Sequence, residues 1–276
     1  MKTKTLKKIG IYLAALITFI LTMFPFYWMV TASIKPFKEI FINPSFFPRQ
    51  FSLAFYTQLF EQTIILTHLK NSLWTAILAT ALTLVLAGMT GYIITRYSVL
   101  AGEFMARFTL FTYMVPSIIL LLPIYLVMQA LGLINSHVGL VISYLTITLP
   151  FAIWMMRSYF ATIPTVMEEA ALIDGANHFQ TYLYVVVPQA LPGFISTAIF
   201  VFILCWGEYL FPLVLLSLDT MKTVPVTLAA LVGGGQNINF GLLMAASTVT
   251  TAPILILFLF LQKYLVAGFA AGGFDK

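Results

Sequence analysis

Long apolar runs follow one another along the chain and are separated by shorter polar segments. A helix needs about twenty apolar residues to cross the hydrocarbon core of a bilayer. The strands of a membrane barrel would instead give segments of about ten residues with alternating hydrophobicity. The pattern predicts an all-α, polytopic membrane protein with six transmembrane helices, at about residues 9–34, 72–95, 104–131, 138–156, 193–217 and 244–266.

The composition supports a membrane protein. The chain is 61% hydrophobic and 8% charged, and its mean hydropathy is +1.00, whereas soluble domains carry about 25% charged residues. We expect residues 1–276 to form a single transmembrane domain. The first apolar run is longer than the core of a signal peptide and no A-x-A cleavage site follows it, so it is expected to remain as the first span.

Basic residues predict the orientation of the six spans. An even number of crossings puts both termini on one side. If that side is the cytoplasm, nine of the fourteen Lys and Arg residues lie in cytoplasmic segments. Cytoplasmic loops carry an excess of Lys and Arg, so both termini are expected in the cytoplasm. Because these residues are scattered singly, the net charge of +5 is not taken as a sign of nucleic-acid binding.

Two polar connections are long enough to hold structure of their own. The outer connection, residues 35–71, is rich in Pro and Phe and is expected to form a small cap on the membrane surface. The cytoplasmic connection, residues 157–192, contains the polar stretch EEAALIDGANHFQ, which begins at Glu168. This concentration of polar residues marks the cytoplasmic connection as the first candidate for a functional site.

Local signals divide the cytoplasmic connection into two short helices. Thr165 and Glu168 have the spacing of a capping box, which predicts the start of the first helix. Gly175 suits the left-handed conformation that ends a helix. Asn177 and Gln180 repeat the spacing and predict the start of a second helix. The sequence therefore predicts a helix-turn-helix with its turn at Gly175.

The first of these helices carries small, apolar and acidic side chains. A helix that rests on lipid headgroups is usually rich in Lys and Arg, and the chain has neither between Arg157 and Lys222. Small side chains also let another surface approach the helix backbone closely. Docking of a protein partner is therefore favoured over an ordinary amphipathic helix on lipid. The candidate contact residues are Glu168, Glu169, Ala170, Ala171, Asp174 and Gly175.

The spacing of these residues resembles the EAA loop of ABC importer permeases. Here Glu169-Ala170-Ala171 is followed by Gly175 and then by Val185-Val186-Val187-Pro188. Other stretches resemble the carbohydrate branch of that family, which includes the smaller membrane subunit of the maltose transporter. They are Ile34-Lys35-Pro36, CWGEYLFPLVLL from Cys205, KTVPVTLAAL from Lys222 and QKYLVAGFAAG from Gln262.

The resemblance implies a multi-pass subunit of a prokaryotic plasma (inner) membrane that forms half of a pore with a second, related permease. Two cytoplasmic ATPase subunits would bind ATP and Mg, so no cofactor is expected in this chain. The first helix of the cytoplasmic connection would be a coupling helix seated in an ATPase. An extracellular or periplasmic binding protein would deliver a sugar, and membrane lipid would surround the spans.

A glycine-rich segment, residues 231–241, precedes the last span. It lacks the Lys and the following Ser or Thr of a phosphate-binding loop, so a nucleotide site is not expected there. Its glycine content alone predicts a flexible turn. The resemblance implies contact with the sugar-binding protein through Gly233, Gly234, Gly235, Gln236 and Asn237.

One acidic residue, Glu208, lies inside an apolar run. Acids at membrane depth are candidates for a functional role, so Glu208, Trp206 and Tyr209 are candidate substrate-path residues. The nearby Pro212 leaves a second interpretation open, in which Glu208 is simply solvated near a helix end.

Residues for catalysis or metal binding are not evident. The single cysteine, Cys205, lies in an apolar run, and the three histidines are far apart, without ligands at metal-binding spacing. The leading hypothesis is a non-enzymatic permease subunit of an ATP-driven sugar importer. The alternative is an ion-coupled secondary transporter, which would need paired intramembrane charges and matching halves. An intramembrane hydrolase would need a nucleophile and base, or a metal cluster, at membrane depth.

Overall fold

The computed structural model describes residues 2–97, 104, 108–109, 111–233 and 239–271, and these residues contain helices and no strand. The chain divides into two compact units. The first contains Met1–Leu66 and Thr227–Ala252, and the second contains Thr67–Val226 and Pro253–Lys276. Each unit is described by itself.

The helices are named here in chain order, over the residues that the structure describes. The first half of the chain contains α1 (Lys2–Ser33), α2 (Phe37–Phe41), α3 (Ala54–Gln62), α4 (Ile65–Arg96), α5 (Ser117–Ala130) and α6 (His137–Phe160). The second half contains α7 (Val166–Ile173), α8 (His178–Thr181), a π-helical turn (Tyr182–Val186), α9 (Val187–Gln189), α10 (Leu191–Gly207), α11 (Leu210–Leu215), a 3-10 turn (Asp219–Met221), α12 (Val224–Gly233) and α13 (Phe240–Ala271).

Among the described residues, four helical segments are long and apolar enough to cross a membrane, and they overlap four of the six predicted spans. They are Lys8–Ser33, Ile65–Arg96, His137–Phe160 and Phe240–Phe260. A fifth crossing is made if His178–Gln189 and Leu191–Gly207, which meet at a bend of 76°, count as one broken span. The predicted span at 104–131 falls partly outside the described residues, and its described helix α5 has 14 residues.

The predicted span at 193–217 is not one continuous helix. Helix α10 ends at Gly207, Glu208 has an extended backbone with φ −69° and ψ 127°, and α11 begins at Leu210. In an uninterrupted helix the ring of Pro212 would clash with the carbonyl group of Glu208, four residues earlier. The break removes this clash and places Pro212 in the first turn of α11, where an amide hydrogen is not needed.

In the second unit, α4 and α6 approach each other closely. A Cβ atom placed on Gly91 of α4 would lie 3.1 Å from the backbone nitrogen of Arg157 at the end of α6. The buried hydroxyl groups of Thr83 and Thr148 are hydrogen bonded between the same two helices, with 2.8 Å between their oxygen atoms. The Arg96 end of α4 is therefore held near the segment 161–165 that leads into α7.

In the first unit, residues 35–64 contain α2 and α3 and a loop fixed by charged side chains. The ammonium group of Lys35, which is 2% exposed, donates to the carbonyl oxygen of Ser45 at 2.6 Å. The carboxylate of Glu39 accepts hydrogen bonds from the amide groups of Arg49 at 2.8 Å and Gln50 at 3.3 Å.

Candidate functional site

The start of α7 does not have the predicted capping box. Thr165 has a helical backbone and its side chain caps no amide group. The Glu168 side chain is buried and binds the end of α4 instead. Its Oε1 atom lies 2.6 Å from Nη2 and 2.7 Å from Nε of Arg96, and its Oε2 atom accepts a hydrogen bond from the Tyr92 hydroxyl at 2.8 Å.

The prediction for Thr165 and Glu168 is wrong for a physical reason. A capping box would give the Glu168 carboxylate one backbone amide as a partner. The end of α4 offers two guanidinium nitrogens and a phenol, so the carboxylate has three donors there, two of them on a charged group. The carboxylate therefore turns inward, to a partner that is 72 residues away in sequence.

The end of α4 also contacts both sides of α7. Arg96 Nη2 donates to the carbonyl oxygen of Ile163, in the segment before α7, at 2.9 Å. The Tyr92 ring lies 5.9 Å from the ring of Phe160 and 5.0 Å from that of Tyr182, which follows α8. The end of α4 is thus the common support of the whole 160–182 region.

The turn between α7 and α8 has the predicted chemistry. Gly175 has φ +91°, which confirms the left-handed position. Its amide donates to the carbonyl oxygen of Leu172, and the amide of Ala176 donates to that of Ala171, which together form a Schellman motif. Asn177 and Gln180 form the predicted capping box, with both hydrogen bonds at 2.9 Å.

The π-helical turn after α8 was not predicted. Pro188 lies in the helix that continues from it, and its ring would clash with the carbonyl group of Tyr184 in a regular α-helix. The amide of Val187 instead bonds to the carbonyl of Tyr182, five residues earlier. One π turn inserted into a helix opens the backbone at this point. The Pro in the Val-rich ending was the available sequence signal.

The remaining candidate residues of α7 and its turn are accessible. Glu169, Ala170, Asp174 and Gly175 are exposed, and Ala171 is half-buried. Beside them, the apolar side chains of Val166, Met167 and Ile173 are 69%, 52% and 86% exposed. We call these eight residues the α7 surface. It is apolar at its centre and carries two carboxylates, and Glu168 is the one predicted contact residue that does not belong to it.

Glu208 lies at the break between α10 and α11. Its Oε1 atom accepts hydrogen bonds from the amides of Leu210 at 2.8 Å and Phe211 at 3.3 Å. It also lines a cavity of about 290 Å³ in the second unit. The hydroxyl-bearing residues in the wall of this cavity are Thr112, Tyr113, Ser117 and Thr146.

The other two substrate-path candidates lie elsewhere. Trp206 is buried and stacks on Phe202, with 5.6 Å between ring centroids. Tyr209 is half-buried, and neither residue lines the Glu208 cavity. The hydroxyl residues of the wall were not predicted, although Thr and Ser within apolar segments were the available signal.

The five predicted binding-protein contacts fall largely outside the described residues. Gly233 is exposed and is the last residue of α12, and Gly234, Gly235, Gln236 and Asn237 lie outside that description. Within the described part of the chain, no group of three His, Cys, Asp or Glu residues could hold a metal ion. The thiol of Cys205 is buried.

Comparison with known families gives one match that covers most of the chain. The family model described as "Binding-protein-dependent transport system inner membrane component" matches residues 84–270. The matched range contains α7, its turn and the Glu208 break.

Several relatives align over nearly their whole length. The inner membrane ABC transporter permease protein YcjP of Escherichia coli is 34% identical, over 98% of this chain and 97% of that protein. The trehalose/maltose transport system permease protein MalG of Thermococcus litoralis is 31% identical, over 99% and 98%. The diacetylchitobiose uptake system permease protein DasC of Streptomyces coelicolor is 32% identical, over 99% of each.

A solved structure has the same fold. A chain of a bacterial ABC transporter involved in the import of the acidic polysaccharide alginate superposes with a TM-score of 0.84. The superposition covers 96% of this chain and 98% of that one, at 20% sequence identity. At this identity the likeness establishes the arrangement of helices only.

Proposed function

The chain belongs to the binding-protein-dependent transport system inner membrane component family, and from this premise we propose that it is the permease subunit of an ATP-driven ABC importer for a sugar or oligosaccharide. Relatives named for trehalose and maltose and for diacetylchitobiose support a carbohydrate as the cargo. The subunit would not be an enzyme, because ATP and Mg would be bound by separate ATPase subunits.

The observation that carries the proposal is the α7 surface. Its centre is apolar and exposed, and the small residues Ala170 and Ala171 permit close approach of another protein. In this proposal α7 is the coupling helix and its surface occupies a cleft of a cytoplasmic ATPase, with Glu169 and Asp174 meeting basic or amide groups at the rim. A second, related permease would complete the pore, with one ATPase beneath each.

The topology proposed for this function has six spans and cytoplasmic termini. The region 104–131 would supply the span that lies partly outside the described residues, and α10 with α11 would form a broken span. Labelling of single cysteines from either side of the membrane tests this arrangement. The native Cys205 is buried and should therefore react little with the labelling reagent. Residues of the α7 surface should react only from the cytoplasmic side, and residues of the 35–71 segment only from outside.

The cavity beside Glu208 is the proposed place of sugar contact in this subunit. Its volume is near the lower end of the range of about 300–1,000 Å³ for small-molecule sites. A carboxylate and several hydroxyl groups suit the hydroxyl groups of a sugar ring, because both partners donate and accept hydrogen bonds. Residues Gly233 to Asn237 are proposed to contact the extracellular or periplasmic sugar-binding protein.

The proposal is tested by purification and reconstitution. The chain should copurify with an ATPase subunit encoded beside it, and Glu169→Lys should abolish copurification because it reverses a charge at the docking surface. Glu61→Gln, which alters an exposed acid of α3, is the control and should leave copurification unchanged. Proton- or sodium-driven uptake by the purified chain alone would instead establish the ion-coupled alternative.

A further inference from the structure

The side of α7 opposite its docking surface is attached to a helix distant in sequence. The flanking helices α6 and α10 would be the expected routes for motion that starts at α7. However, residues 161–165 between α6 and α7 form turns rather than a continuous helix. The direct side-chain attachment of α7 is to α4, through the ion pair of Arg96 and Glu168.

This ion pair is built for fixed geometry. The side chains of Arg96 and Glu168 are 12% and 8% exposed. Two guanidinium nitrogens meet one carboxylate oxygen, and the hydroxyl of Tyr92 occupies the other. Arg96 also holds the carbonyl of Ile163. With every carboxylate oxygen and two guanidinium nitrogens engaged, α7 has little freedom to rotate or slide against the end of α4.

The other end of α4 is attached just as directly to the 219–224 segment. His68 Nε2 lies 2.8 Å from the carbonyl oxygen of Asp219. The side-chain amide of Asn71 donates to the carbonyl oxygens of Thr220 and Lys222, both at 2.9 Å. The hydroxyl of Ser72 accepts the amide of Val224 at 2.9 Å. Residues 68 and 96 of one straight helix would be about 42 Å apart, at about 1.5 Å per residue.

We propose that Arg96 and Glu168 are positioning residues that fasten the coupling helix to α4, so that α4 carries the motion of the ATPase to the 219–224 segment at its far end. This inference rests on the proposed function and adds a transmission route to it. A rigid helix attached at both ends moves as one body, and rigid-body movement is an established way of linking distant sites. Glu169 docks the partner, and Glu168 passes the movement on.

The test needs variants that keep the fold. Removal of one charge leaves its buried partner uncompensated, which is strongly destabilising, whereas replacement of both by apolar residues is often neutral. The main variant is therefore Arg96→Met combined with Glu168→Leu. Arg96→Lys is a milder second variant, because it keeps the charge but loses the two-nitrogen fork. Glu61→Gln, at an exposed acid of α3, is the control for the loss of an acid elsewhere in the chain.

The complete transporter, with both permeases, the ATPases and the binding protein, is reconstituted in liposomes. The measured quantity is sugar imported per ATP hydrolysed. The double variant should copurify with the ATPase and hydrolyse ATP. Its ratio of sugar imported to ATP hydrolysed should be lower by about fivefold or more, which is the size of effect typical of coupling between distant sites. Arg96→Lys should give an intermediate ratio, and Glu61→Gln the unmodified one.

The outcomes separate the two proposals. An unmodified ratio in a folded double variant overturns the transmission route and leaves the proposed function standing. If the double variant does not fold, Arg96→Lys decides, and an unmodified ratio in that variant overturns the route. If the unmodified complex does not import sugar with ATP, the proposed function fails and the route fails with it. A purely structural role would lower assembly and ATP hydrolysis together without changing the ratio.

Discussion

Lys35 and Glu39 both bind Ser45, Lys35 at its backbone carbonyl group and Glu39 at its side-chain hydroxyl. The ammonium group of Lys35 donates to the Ser45 carbonyl oxygen at 2.6 Å, and the carboxylate of Glu39 accepts a hydrogen bond from the Ser45 hydroxyl. Glu39 also accepts from the amide of Arg49. Two charged side chains only four residues apart thus hold the loop after α2, which has no regular secondary structure of its own.

The order of this loop should depend on pH through Glu39. Hydrogen bonds from the Ser45 hydroxyl and the Arg49 amide lower the pKa of Glu39 below its ordinary value of 4.5. A carboxyl group whose folded pKa is lowered contributes stability above its unfolded pKa, and this is lost as the pH falls through the folded pKa. The protection of the amides of residues 43–50 against hydrogen exchange, corrected for the intrinsic pH dependence of exchange, should therefore decrease once the pH is lower than about 4.5.

Two variants identify Glu39 as the source of this dependence. Glu39→Gln should lower protection of residues 43–50 already at neutral pH, and it should remove their acid-induced loss. Glu61→Gln, at an exposed acid of α3, should leave both unchanged. Acid-induced loss of protection that persists in Glu39→Gln would assign the effect to another group.

Gly193 should be intolerant of a side chain. A Cβ atom on this residue would lie 2.5 Å from the Tyr159 ring, closer than real contacts allow. Gly193→Ala must therefore displace α10 or the ring, and we expect a loss of about 1–3 kcal/mol in the free energy of unfolding. The midpoint of thermal unfolding in detergent measures this loss.

The companion variants for Gly193 separate steric conflict from helix propensity. Gly193→Ala combined with Tyr159→Leu should recover part of the loss, because the ring is removed. Gly207→Ala adds a Cβ atom that meets no heavy atom within 4 Å and should be nearly neutral. Additive losses in the double variant would show that Gly193 and Tyr159 are not in conflict.

The sequence predicted features that depend on neighbouring residues. The turn at Gly175 and the cap of Asn177 with Gln180 are formed within a few residues, so their spacing carries the geometry. Runs of apolar residues likewise predicted the four long helices, because span length is a property of one segment. The resemblance to importer permeases, read from Glu169-Ala170-Ala171 and Gly175, is confirmed by the family match.

Features that depend on distant partners could not be read in the same way. Glu168 had the spacing of a capping residue, and nothing local showed that Arg96 and Tyr92 would be beside it. The cavity beside Glu208 needs residues from three separate segments, so it has no continuous motif. The break before α11 is an intermediate case. Pro212 indicated a possible helix end, but the continuous apolar run led to the prediction of one unbroken span.

Glu208→Gln should alter sugar transport without unfolding the break. Glutamine keeps an oxygen that can accept the amides of Leu210 and Phe211, so the start of α11 should persist. If the carboxylate binds sugar hydroxyl groups, loss of its charge should raise the apparent KM for sugar about tenfold, since hydrogen bonds to charged groups contribute about 1.5–3 kcal/mol. ATP-driven uptake at graded sugar concentrations measures this change.

Hydroxyl removal at the cavity wall gives an independent check. Thr146→Val removes a hydroxyl of the wall and should also raise the apparent KM. Thr18→Val removes an exposed hydroxyl of α1 that bonds to the carbonyl of its own helix, and it should have no effect. Unchanged KM values in both Glu208→Gln and Thr146→Val would exclude sugar contact in this cavity.

Gly175→Ala should weaken binding of the ATPase through its effect on the backbone alone. Gly175 has φ +91°, and no heavy atom lies within 4 Å of an added Cβ atom. The cost is therefore conformational, about 1–2 kcal/mol for an L-residue in the left-handed region. Relief of that strain would open the Schellman motif and change the angle between α7 and α8. We expect the Gly175→Ala variant to copurify less with the ATPase.

Gly10→Ala is the control, because a Cβ atom added on α1 there meets no heavy atom within 4 Å, and this variant should bind the ATPase normally. Normal ATPase binding by Gly175→Ala would mean that α7 docks without a fixed turn.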